Sequence, residues 1–212
     1  MLIAGEPSLP PEALPAELPV VLLGSYDRLE NCNICGIHYR DAAEKMVSHL
    51  HTMGHRSIWL LQSSGESPEK AAITAGYRQA AAALGLTDRQ CRVLEAEDSV
   101  VGGYRICREE ILTEEPPQAV FAVSDELAMG VIKAAREENI PLPEGLAVAG
   151  FTGSEAAAVI TPALTTIHQP KDSLGEAAFN MLLDRIVNKR EESQSIEVHP
   201  RLVERRSVAD GP

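Results

Sequence analysis

The stretch AVFAVSDELAMGVIKAAREENIPLPEGLAVAGF, residues 119–151, decides the fold class. It opens on a short run that is apolar throughout, 119–123, and closes on a second, 146–151. Between them lies a helical pattern that starts at a good N-cap, Ser124, carries Asp125 and Glu126 at its positive end, and gives way to the loop IPLPEG. Strands without a polar face, separated by amphipathic helices, predict a parallel sheet covered on both sides and built with right-handed crossovers.

The same alternation extends outward. SIWLL (57–61) and CRVLE (91–95) read as strands. EKAAITAGYRQAAAALG (69–85) reads as a helix stopped by Gly85, and SVVGGYRICREEIL (99–112) as a helix capped by Ser99 and weakened by Gly102 and Gly103. In such sheets ligands sit beyond the carboxyl ends of the strands. Three junctions are therefore candidate rims: QSSGES at 62–67, SDE at 124–126 and FTGSE at 151–155. Ser124 serves as either a cap or a ligand contact, and Ser63 as either a turn residue or a contact.

Composition narrows the function classes. The chain has 212 residues, 44% hydrophobic and 24% charged, with a net charge of −12. So acidic a surface repels a phosphate backbone, so these residues alone are not expected to hold duplex DNA. The sequence has no apolar run near the length of a membrane span, and its start lacks the basic flank of a signal peptide. A cytoplasmic setting without a membrane partner is expected. Cys32 and Cys35 form a C-x-x-C that admits a redox or half-zinc reading, but the segment around them looks extended, which sends the two thiols to opposite faces. Reduced thiols are the expectation, with no metal site and no cofactor. His51 and His55 lie four apart, but Gly54 ends the helix between them and no third ligand is evident. No nucleophile–base pair, zinc-protease motif or Walker loop is present, so an enzyme is not expected and no catalytic residue is assigned.

TPALTTIHQP, residues 161–170, fits this scheme poorly: two prolines bracket β-branched residues that favour extended backbone. Taken with 119–151, with GEAAFNMLLDRI (175–186), PRLVERRS (200–207), AAEKMVSHLHTMGHRSIWLL (42–61) and GYRQAAAALGL (76–86), it resembles the effector-binding core of the LacI family of bacterial transcription regulators. The likeness runs in order from about Pro19 to Ser207.

The resemblance implies an α/β, periplasmic-binding-protein type I-like fold, with two parallel-sheet lobes joined by hinge crossovers. On this reading residues 1–53 plus 168–190 form the first lobe, which lacks its N-terminal strands. Residues 54–165 plus 196–207 form the second. Gly54 and His55 belong to the outward crossover, and Thr165, Thr166, Ile167 and His168 to the returning one. The effector positions carried over are Asp41, Ser63, Ile73, Tyr77, Ser124, Asp125, Phe151 and Thr152. Ile73 stands where members of the family often carry arginine, Ser124 where they carry asparagine, and Thr152 where they carry aspartate. Three groups suited to gripping a sugar are thereby weakened. Tyr77 and Phe151 either stack on a ligand or pack in the core.

The implied function is effector binding in the cleft between lobes, by a sugar or sugar derivative or by a less polar ligand. It would bias DNA binding by a headpiece that this sequence is expected to lack. Homodimerisation is expected. Two alternatives are a core that answers to a protein partner through a vestigial pocket, and a solute-binding protein of the same fold.

Overall fold

The computed structural model describes residues 2–4, 18–24, 32–113, 115–189 and 192–208, with backbone alone for 2–4. The strands are β1 (Leu2–Ala4), β2 (Val20–Leu23), β3 (Cys32–Ile37), β4 (Ile58–Ser63), β5 (Val93–Ala96), β6 (Ala119–Ala122), β7 (Ala147–Thr152), β8 (Thr165–His168), β9 (Ser195–Val198) and β10 (Arg201–Val203). The helices are α1 (Tyr39–Thr52), α2 (Pro68–Ala83), α3 (Val100–Ile106), α4 (Asp125–Glu137), α5 (Glu155–Val159) and α6 (Lys171–Val187), and a π-helical turn, Cys107–Ile111, extends α3. The chain divides into two compact units. Unit 1 holds Met1–His38, Ser67–Glu69 and Pro170–Pro200; unit 2 holds Tyr39–Glu66, Lys70–Gln169 and Arg201–Pro212.

Unit 1 is built on a parallel sheet in the order β1-β2-β3-β9. Alternation in β3 sends Cys32 and Ile34 to one face with Val20 and Leu22, and Cys35 to the other with Val21 and the α6 residues Ala178 and Met181. The C-x-x-C is thus split across the sheet, as its extended pattern predicted, and all four cysteines are free thiols. Asn33, at 1% exposure, is the polar residue of this core, and its Oδ1 accepts from Gln194 N at 2.9 Å. A buried amide needs such a partner, and this one fixes the approach to β9.

Unit 2 is built on a six-stranded sheet in the order β10-β8-β7-β6-β4-β5, parallel except for β10 against β8. β4 and β6 are buried along almost their whole length because both faces are covered. Trp59, Leu61, Val120, Ala122 and Val148 face the helices α3, α4 and α5, whereas Ile58, Leu60, Phe121, Ala149 and Phe151 face α1 and α2. Gly102 and Gly103 do more than weaken α3. A Cβ at Gly103 would lie 2.2 Å from the carbonyl oxygen of Leu127, and one at Gly130 would lie 2.2 Å from that of Val100. Glycines at this crossing let α3 and α4 approach backbone to backbone.

Four expectations change. First, α1 was expected in the first lobe, but its apolar face, Ala42, Ala43, Met46, Val47 and Leu50, packs with Ile58, Leu60 and Phe121 of the second sheet. The chain therefore leaves unit 1 after His38, not near residue 53. Second, Gly54 and His55 are not a crossover. They close α1, with Gly54 at φ 93° and the amides of Gly54 and His55 donating to the carbonyls of His51 and Leu50, a helix C-cap. Third, Thr165, Thr166 and Ile167 are not hinge residues. They are buried in β8, between β7 and β10, and the chain passes out of unit 2 after Gln169. Their threonines need partners, and distant sequence supplies them. Thr165 donates to the carbonyl of Arg205 at 3.1 Å and accepts from Arg205 N at 2.9 Å. Likewise, residues 195–198 pair with β3 instead of joining the second sheet, which residues 201–203 do join.

Candidate functional site

The carboxyl ends of β8, β7, β6 and β4 lie side by side and bring four sequence-predicted segments to one edge of unit 2. Ser63 ends β4, Ser124 follows β6, Thr152 ends β7 and His168 ends β8. Ser63, Thr152 and His168 are half-buried, a state in which hydroxyl and imidazole groups can meet a ligand. Thr152 sits at φ 131°, a conformation rare for a residue with a side chain, and Gly153 follows at φ 73°. A Cβ on Gly153 would stand 2.6 Å from the Cα of His168, so only glycine lets this turn lie against the end of β8.

Ser124 and Asp125 are committed inside the protein. Ser124 Oγ caps α4, accepting from Leu127 N at 3.2 Å, and donates to the carboxylate of Asp98. Asp125 is fully buried. Its Oδ1 accepts from Thr166 Oγ1 at 2.6 Å and its Oδ2 from Ser154 N at 2.6 Å. These are short, charge-assisted bonds. The carboxylate thus clamps the starts of α4 and α5 to β8, and both of its oxygens are already engaged.

The helix candidates behave in the same way. Ile73 is buried at 4% and belongs to the core cluster beneath α2. Tyr77 is fully buried, and its hydroxyl donates to Ile58 O at 2.7 Å and lies 3.2 Å from Arg92 O. Burial pushes that phenol far above its ordinary range. Asp41, in the first turn of α1, pairs with Lys45 at 2.7 Å. Phe151 is 1% exposed and packs against Phe121 with ring centroids 6.4 Å apart. Its other neighbour is Tyr39, half-buried and stacked at 5.9 Å with an interplanar angle of 22°.

Sequence reasoning missed Tyr39, which opens α1 and has no motif to flag it. It also missed the network at the ends of β4 and β5. There Thr74 Oγ1 donates to Gln62 Oε1 at 2.7 Å, Gln62 Nε2 donates to Glu95 Oε1 at 2.9 Å, and Lys70 Nζ reaches the same carboxylate oxygen at 2.9 Å. The hydrogen bond from Lys70, with that from Gln62, holds the Glu95 carboxyl below its usual range. Tyr39, Ser63, Thr152 and His168 are half-buried groups with polar atoms at this edge, together with Ser154, whose Oγ has no hydrogen-bond partner, and the Thr74 and Lys70 of the network just described, and the buried carboxylate of Asp125 is engaged. These groups donate and accept hydrogen bonds and offer an aromatic face, with the Lys70–Glu95 ion pair as the charged element at the ends of β4 and β5. Among the described residues no group of three or more metal-ligating side chains is present.

Comparisons place this architecture. The family model described as periplasmic binding protein-like domain matches residues 47–208. The repressor named HTH-type transcriptional repressor PurR from Klebsiella pneumoniae (strain 342) is 50% identical over 159 residues, which cover 75% of this chain and 47% of that protein. Its namesake from Escherichia coli O1:K1 / APEC is 47% identical over a span of the same length. The chain thus covers about half the length of the curated relatives it matches. Among solved structures, a LacI family transcriptional regulator from Enterococcus faecium with bound ribose superposes with a TM-score of 0.82 at 26% identity, over 91% of this chain and 71% of that one. Transcription regulator GntR from Chromobacterium violaceum does so with a TM-score of 0.84 at 28% identity, over 98% of this chain and 77% of that one. The chain belongs to the periplasmic binding protein-like domain family, in the form found in the cores of LacI-type transcriptional regulators.

Proposed function

We propose that the chain is the effector-binding core of a LacI-type transcription regulator, with its ligand at the carboxyl edge of the six-stranded sheet. The observation that supports this reading is the set of half-buried groups there, Tyr39, Ser63, Thr152 and His168, on a core 50% identical to named repressors. DNA contact in the whole protein falls to a helix-turn-helix segment outside these residues, as the name of the relatives suggests. The effector acts by preferring one of two arrangements of the lobes. The protein works in the cytoplasm and is not an enzyme.

The effector class follows from what the edge offers. Ile73 carries no charge, the Asp125 carboxylate is consumed internally, and Thr152 offers a hydroxyl. A polyhydroxylated sugar loses the charged partners that would hold it. A flat, neutral ligand keeps an aromatic neighbour in Tyr39 and hydrogen bonds to hydroxyls and imidazole. Calorimetry against sugars, phosphosugars and nucleobases tests this. The reading expects a nucleobase-like ligand to bind and ribose and cellobiose to bind at least tenfold more weakly. Tight ribose binding overturns the effector class, and silence across the panel favours the protein-responsive alternative.

The regulator acts as a homodimer. Val101 and Val159, on α3 and α5, are 73% and 81% exposed. Each is a large apolar side chain that a partner copy would cover.

A further inference from the structure

Helix α6 is apolar on two opposite sides. Leu174, Ala178 and Met181 pack onto Val21 and Cys35 of the unit 1 sheet. The helical period puts Phe179, Leu183, Ile186 and Val187 together on the far side. They are 57%, 44%, 56% and 64% exposed. A single exposed apolar side chain is ordinary, but four along one helical stripe mark a contact surface. The same stripe is charged at its ends. Asp172 and Glu176 stand four residues apart at its amino end, a like-charge spacing that disfavours an isolated helix. Lys189 follows its carboxyl end. All three are exposed, and none forms an ion pair with another described residue.

We propose that this stripe docks on α6 of a second copy of the chain, the two helices running antiparallel about Leu183. Glu176 stands seven residues before Leu183 and Lys189 six residues after it. A two-fold axis at Leu183 therefore brings Glu176 of each copy to Lys189 of the other, while Phe179, Leu183, Ile186 and Val187 meet between them. A parallel pairing sets acid against acid and aligns the two helix dipoles. Copies with a net charge of −12 repel one another, so only a locally complementary face brings them together. Four side chains of one helix cover less than the roughly 800 Å² per partner of a standard interface, so the contact is weak and forms at high protein concentration. It lies on unit 1, whereas Val101, Val159 and the proposed effector edge lie on unit 2. Its failure leaves the reading of unit 2 untouched.

Sedimentation equilibrium of the full chain, from about 10 μM to about 1 mM, tests the proposal. The mass is expected to double across that range. The doubling persists in Val101→Asp/Val159→Asp, which separates this contact from the proposed homodimer. Phe179→Glu/Leu183→Glu is expected to abolish the doubling and to leave the mass of the dilute protein unchanged. Circular dichroism confirms that this variant is folded. Glu176→Lys places like charges across the axis and is expected to weaken the association roughly tenfold. Glu176→Lys/Lys189→Glu restores the pairing with its signs exchanged. A mass that does not rise, a rise that survives Phe179→Glu/Leu183→Glu, or a double charge exchange no tighter than Glu176→Lys alone overturns the proposal.

Discussion

Replacing Asp125 by alanine removes the carboxylate at the centre of the second sheet's carboxyl edge. Asp125 and Thr166 are fully buried, so no water stands ready to replace the acceptor that the Thr166 hydroxyl loses, whereas Ser154 is half-buried and its amide is the cheaper of the two to orphan. Two donors are orphaned: the Thr166 hydroxyl and the Ser154 amide, each now 2.6 Å from an aspartate oxygen. An orphaned buried donor costs about 1–3 kcal/mol, so the pair is worth about 2–6 kcal/mol. Thr166→Val removes one donor and keeps the shape. It costs about 1.5–3 kcal/mol, the range for a hydrogen bond to a charged group. Because the two side chains share one bond, the double variant loses less than the sum of the singles, by about 1 kcal/mol. Urea unfolding followed by Trp59 emission is the assay, since the single tryptophan lies in unit 2 and reports that unit. If Asp125→Ala unfolds within about 0.5 kcal/mol of the parent, the clamp is not structural and the carboxylate is free to serve a ligand after all.

Other outcomes follow from the same coordinates. Gly103→Ala drives a Cβ to 2.2 Å from Leu127 O. It is expected to destabilise by about 1–3 kcal/mol despite its better helix propensity. Gly175→Ala, in open space on α6, is expected to stabilise by up to about 1 kcal/mol; calorimetric melts compare them. His49 and His55 have their imidazole pKa lowered, chiefly by burial, below the usual 6.5. The unfolded chain therefore takes up protons more readily. The stability these residues contribute is complete above about pH 6.5 and is lost as pH falls below it toward their depressed values. Melting temperatures at pH 7.5 and 5.5 are expected to differ less in His49→Asn/His55→Gln than in the parent. Val101→Asp with Val159→Asp is expected to convert the proposed homodimer to monomer in light scattering, with circular dichroism unchanged because both side chains are exposed in the single chain, and with the fall in melting temperature confined to what dissociation of the dimer removes.

The alternation of strands and helices in unit 2 was legible because its strands are buried on both faces and so carry no polar interruption. Ser99 and Ser124 could be read as caps because a cap bonds within three residues of itself, Ser99 to Gly102 N and Ser124 to Leu127 N. What escaped the sequence depends on distant partners. The threonines of β8 look like a stiff linker until Asp125 and Arg205, each about 40 residues away, supply their hydrogen bonds. The helix α1 shows an apolar face but not which sheet receives it, so its assignment to the first lobe failed on packing alone. Asp125 was found as an edge residue, but its commitment to Ser154 and Thr166 turns a candidate ligand contact into a clamp. Tyr77 reads as either a stacking platform or a core residue, and the core reading fits: the ring is fully buried and its hydroxyl ties α2 to the backbone at the amino end of β4.

Hydrogen exchange with and without the ligand found by calorimetry tests the central claim most directly. The account predicts slowed exchange at the carboxyl ends of β4, β7 and β8, around Ser63, Thr152 and His168, and no change around Trp59 at the amino ends. Slowed exchange confined to any other surface, with those three strand ends unaffected, would contradict it.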